Sequence, residues 1–98
     1  MTNLAELKRQ AEAQVAGQPR YAGMFDRYIP VRLKRTITTK QGVAFEEGEV
    51  ALAAPDSVPV ESGPQGGRRG RLVWSMKHQV NAGVYDGDLE FLSSTDSL

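Results

Sequence analysis

Arg71–Lys77 reads RLVWSMK, and its period decides what kind of chain this is. Leu72, Trp74 and Met76 fall on one face and Val73 and Ser75 on the other, the alternation of a β-strand. The residues before it, Ser62–Gly70 (SGPQGGRRG), have no periodicity and read as a glycine-rich loop carrying Arg68 and Arg69. Two readings of this junction compete. Arg68, Arg69 and Arg71 with the only tryptophan form a phosphate grip beside a stacking ring, or they tip a solvated hairpin. Trp74 shares its face with Leu72 and Met76, which assigns its ring to the core.

Downstream, Asn81–Gly83 (NAG) reads as a break, and Val84 and Tyr85 lead into Asp86–Gly87, a hairpin signal. Leu89 and Phe91 close a last short strand, and residues 93–98 read as a frayed polar tail. Upstream, Pro59 between Val58 and Val60 restricts that piece to an edge strand. Val50–Ala54 reads as a strand of small residues, and turns are expected at Thr39–Gly42 and around Gly48. Val43 and Phe45 share a face between them. Ile29, Val31 and Leu33 alternate inward, but Arg35 has the same parity, so a bulge or a strand end is expected there.

The first 28 residues have a helical period instead. Leu4, Leu7, Ala11 and Val15 form a narrow stripe behind an Asn3–Glu6 capping pair, and Gly17 and Pro19 stop it. Tyr21, Met24, Phe25 and Tyr28 then recur at the spacing of a short helix. These large side chains either close one end of the core or form an exposed aromatic anchor.

Ninety-eight residues amount to one domain, whose thin core buries about 60–65% of the unfolded surface. A hydrophobic fraction of 40% with 24% charged residues argues against disorder. Without cysteine there is no disulfide framework, and packing alone must hold the fold. No leader-like or membrane-spanning apolar run is present, so a cytoplasmic location away from membranes is expected. The divisions expected are a helical segment at 1–28, a β-domain at 29–92 and a tail at 93–98.

The order of IPVRLKRTI, TTKQGVAFEEGEVALA, RLVWSMK and VNAGVYDGDLEFL resembles an SH3-like small β-barrel over Ile29–Leu92, about two thirds of the chain. The resemblance implies a mainly β fold of about five short strands after an N-terminal helix. It lacks the acidic loop and aromatic pattern of proline-peptide-binding SH3 domains, and superfolds do not dictate function. The chain is also loosely similar to small accessory proteins of bacteria and their phages.

Catalytic chemistry has little to work with. His78 is the only histidine, Cys–His chemistry is excluded, and no serine follows a nucleophile elbow. His78 itself reads as a surface residue. Asp86, Asp88 and Glu90 fail the spacing of a calcium loop, where Phe91 and Ser97 stand at the sixth and twelfth positions. No cofactor, no metal and no enzymatic activity are expected. Charge falls in alternating blocks: five bases in 27–40, five acids in 46–61, four bases in 68–77 and four acids in 86–96. Cross-strand pairing between blocks is the simplest consequence. The expected function is a non-catalytic interaction module whose contact residues are Tyr21, Phe25, Tyr28, Arg68, Arg69, Arg71 and Tyr85. Its expected partner is another protein or a second copy, and the alternative is nucleic acid held by residues 63–71.

Overall fold

The computed structural model describes residues 4–59 and 68–92. Helix α1 (Leu4–Gln14) lays Leu7, Ala11 and, just past its end, Val15 against the sheet, so the narrow stripe docks on its own domain. Two 3₁₀ turns follow, Pro19–Tyr21 and Met24–Arg27, in place of the single short helix expected. Gly23 separates them with φ 73°, a left-handed conformation that a side chain disfavours and that breaks the helical run.

The chain then becomes β. Strand β1 (Ile29–Leu33) ends before Arg35, which lies exposed, and β2 (Ile37–Thr39) restarts beyond it. This is the resolution that the parity conflict at Arg35 demanded. A hairpin joins β2 to β3 (Gly42–Phe45), with a register shift between Ile37 and Thr38. After a tight turn in which Gly48 takes φ 85°, β4 (Val50–Ala53) and the two-residue β5 (Val58–Pro59) follow. Then come β6 (Arg69–Ser75), β7 (Val80–Tyr85), a 3₁₀ turn at Asp86–Asp88, and β8 (Leu89–Phe91).

Strand β1 lies antiparallel between β4 and β8, with Val31 opposite both Ala51 and Phe91. The long β6 pairs along one side with β7 and on the other with β4, then β5. The result is one curled antiparallel sheet, a half-barrel, beside the separate β2–β3 hairpin. The mainly β architecture with an N-terminal helix is therefore what the chain adopts. Four local expectations are corrected. β6 begins at Arg69 and stops at Ser75, two residues earlier at each end than expected. The break after it is the turn Met76–Gln79, where Gln79 has φ 57°, and Asn81–Gly83 lies inside β7. Asp86–Gly87 does not join a hairpin, because β8 crosses over to pair with β1. His78 is half-buried, with Nε2 3.0 Å from the Val43 carbonyl, a contact made by the Nε2-protonated ring. Residues 60–67, most of the expected loop, and the tail at 93–98 lie outside the described residues.

Alternation along β4 and β6 serves two cores, one on each face. Inside the curl, Val31, Leu33, Phe45, Ala51, Ala53, Val73 and Leu89 pack together. On the outer face, Leu52 and Trp74 meet Leu7, Ala11, Val15, Phe25 and Tyr28. The alanines of β4 belong to the inner core, while Leu52 packs with the helix residues on the outer face. Phe25 packs edge-on against Trp74 at 5.1 Å and against Tyr28 at 5.2 Å, contacts worth about 0.5–1.5 kcal/mol each beyond their burial. Trp74 Nε1–H donates to Gln14 Oε1 at 2.8 Å, and Gln14 Nε2–H donates to the Met76 carbonyl at 2.9 Å. The buried indole therefore loses no hydrogen bond on leaving water. Among the described residues, no helix is long and apolar enough to cross a membrane.

Candidate interaction surface

In an antiparallel pair, directly opposed residues share a face. Gly70 opposes Tyr85 and Val58, Leu72 opposes Gly83, and Trp74 opposes Asn81. All of them therefore lie on the outer face that α1 covers at its Trp74 end. The helix does not reach the other end. Leu72 is 48% exposed and Val58 57%, against 1% for Trp74 two residues along the same strand. Val58, Gly70, Leu72, Gly83 and Tyr85 line an apolar groove of about 260 Å³ across β5, β6 and β7. Its floor is glycine. A Cβ placed on Gly83 would meet nothing within 4 Å, so the floor is open space rather than tight packing.

Tyr85 is also a wall of a neighbouring polar cleft of about 520 Å³, lined by Arg35, Arg68, Arg69, Asp86 and Asp88. The Arg68 guanidinium lies over the Tyr85 ring, 5.0 Å from its centroid, a cation–π contact. Arg69 donates to the Ser57 hydroxyl and carbonyl, both at 2.9 Å, which ties β6 to the segment before β5. Asp88 pairs with Arg35 at 3.0 Å. Its neighbour Asp86 receives Arg71 Nε at 2.9 Å and Arg71 Nη2 at 3.3 Å.

Of the seven residues expected to make contacts, the fold brings Arg68, Arg69 and Tyr85 together at one place. Arg71 is beside them but turned inward. Its side chain is 12% exposed, spans the Ala54 and Pro55 carbonyls at 3.1 and 3.2 Å, and covers the Phe91 ring at 4.8 Å. Every donor it uses there is committed to holding the end of the half-barrel. The three N-terminal aromatics lie elsewhere. Phe25 is completely buried, a correction to its place among the surface anchors, because its ring fills the space between α1 and Trp74. Tyr28 is buried too, and its hydroxyl donates to Asn81 Oδ1 at 3.2 Å. Burial holds the Tyr28 pKa above the ordinary tyrosine value. Tyr21 is half-buried, edge-on to Trp74 at 6.3 Å with Arg20 over its ring at 4.7 Å.

Sequence reasoning missed Val58, Leu72 and Gly83. Leu72 has the parity of Trp74, and parity alone points both to the core. Gly83 looked like a break, although glycine inside a strand also marks a place where another group approaches closely. Charge pairing takes a simpler form than the blocks implied. Arg32–Glu90 (3.2 Å), Arg35–Asp88 and Arg71–Asp86 all draw on the last acidic block. Glu46, Glu47, Glu49 and Asp56 make no ion pair among the described residues. On the helix, Arg9 pairs with Glu6 one turn away and lowers its pKa.

No family model, no curated protein and no solved structure matches this chain.

Proposed function

We propose that this chain is a non-catalytic SH3-like interaction module that binds a protein partner on the outer face of β5, β6 and β7. The observation that carries the reading is the exposure of Val58 and Leu72 around a glycine-floored groove rimmed by Arg68 and Tyr85. Burying apolar surface is worth about 25 cal/mol per Å², and a groove of this kind lets a partner recover that free energy. Aromatic and arginine side chains at the rim are the residue types that most often dominate protein interfaces.

The nucleic-acid reading has less behind it. Trp74 is 1% exposed and offers no stacking face, and Arg71 is committed to Asp86 and two carbonyls. Arg68 and Arg69 then remain as the cations of the expected grip, and two phosphate contacts give a salt slope of only about −2.

A photo-crosslinking p-benzoylphenylalanine in place of Leu72, irradiated in an extract of the source cells, tests the proposal. Protein adducts that survive nuclease treatment and are missing when the same residue replaces exposed Thr38 are expected. Adducts that vanish with nuclease, or equal adducts from both positions, overturn it.

A further inference from the structure

The edges of the sheet are not alike. Strand β8 is three residues long and carries Glu90 at its centre, and β5 is two residues long and contains Pro59. Short length, charge and proline are the usual protections of an edge strand. Strand β7 has none of them. It runs for six residues, VNAGVY, without a charge or a proline, and pairs with β6 alone. Alternate N–H and C=O groups of an antiparallel edge strand point away from its single neighbour. Among the described residues nothing pairs with that side of Val80–Val84.

Two further features meet at this edge. Gly83 of this strand lines the apolar groove with Leu72 and has nothing within 4 Å of where its Cβ would stand, which leaves space for a side chain on the outer face of an added strand. Both ends of β7 are also cationic. At the Tyr85 end, Asp88 is paired with Arg35 and Asp86 with Arg71, which leaves Arg68 over the Tyr85 ring and Arg69 on Ser57, with exposed Asp56 as the neighbouring acid. At the Val80 end, exposed Lys77 lies in the turn that enters the strand.

We infer that β7 is a docking edge for an extended, acid-flanked segment of another protein, which adds to the sheet as a new strand. Backbone pairing with Val80–Val84 provides the attachment, an apolar side chain over Gly83 enters the groove, and carboxylates at the segment's ends face Arg68 and Lys77. Charge selects against a second copy of this chain. Antiparallel self-pairing sets the Lys77 end of one β7 against the Arg68 end of the other, and parallel pairing sets each cationic end against itself. The inference rests on the interaction-module reading and specifies its partner.

Random ten-residue peptides displayed on phage and selected on the full chain test it. Enriched peptides should alternate apolar residues between Asp or Glu flanks, and their binding should shift the amide resonances of Val80–Val84. Gly83→Val puts a side chain on the groove's floor, where its Cβ meets nothing within 4 Å, and should weaken them ~10-fold or more. Arg68→Ala, at the rim, should cost about 2- to 5-fold. No enrichment, enrichment of basic peptides, or unchanged binding to a folded Gly83→Val chain overturns the inference. A dimer at micromolar concentration that Gly83→Val abolishes also overturns it, in favour of self-pairing. If the Leu72 crosslink still captures a protein in any of these cases, the module reading survives and only the edge assignment falls.

Discussion

Trp74 and Leu72 stand two residues apart on the same face of the same strand, and one is sealed while the other is open. The strand's chemistry does not distinguish them. The difference comes from α1, which crosses the outer face at Leu52 and Trp74 and leaves Leu72, Val58 and Gly83 uncovered. One face of one sheet is thus half core and half candidate surface, divided by what the helix covers.

The sharpest way to break that contrast is to truncate both side chains. Trp74→Ala removes the centre of the outer core and should cost about 3–5 kcal/mol. Leu72→Ala should stay within about 0.5 kcal/mol, as exposed substitutions do. Urea denaturation of both variants measures the difference, and similar losses would mean that the helix does not divide the face.

Gln14→Ala tests the seal itself. It strips the Trp74 indole of its acceptor while leaving the ring in place, and about 1–3 kcal/mol should be lost. A red shift of tryptophan emission in the native state would show water reaching the ring. Tyr28→Phe is a milder probe of the same region, and loss of the Asn81 hydrogen bond should cost about 0.5–1.5 kcal/mol. It also carries a pH signature. Burial raises the Tyr28 pKa in the folded state above the unfolded value of about 10. The neutral phenol therefore favours the fold fully below that pH, and the contribution is lost as pH rises through the folded value. Melting curves between pH 8 and 11 should fall more steeply for the wild type than for Tyr28→Phe.

The smallest effect is expected far from the divided face. Arg32 and Glu90 are register partners on β1 and β8, and both side chains are largely in water. A double-mutant cycle with alanine should return about 0.2–1 kcal/mol, shrinking further in high salt. A larger coupling would mean that the β1–β8 junction depends on this pair.

Much of the fold was legible because local rules dominate it. Period two at Ile29–Leu33 and Arg71–Ser75, Pro59 at an edge and the turn around Gly48 all follow from backbone sterics and side-chain alternation. The misplaced features are those that distant partners settle. Asp86–Gly87 has the composition of a hairpin, but β8 finds its hydrogen bonds on β1, so the turn carries the chain across the half-barrel instead. Of the candidate surface, Arg68, Arg69 and Tyr85 stood out by residue type. Val58, Leu72 and Gly83 did not, because an apolar residue and a glycine announce nothing until their neighbours are known.

The amino-acid sequence alone determined that this is a mainly β chain with a helix in front, held by packing without disulfides, since composition and periodicity act within a few residues. Which strands pair, which arginine is spent on the frame and where the helix stops short were decided only by the tertiary structure. Exposure and hydrogen-bond partnership belong to residues brought together from far apart in the chain, and no local pattern encodes them.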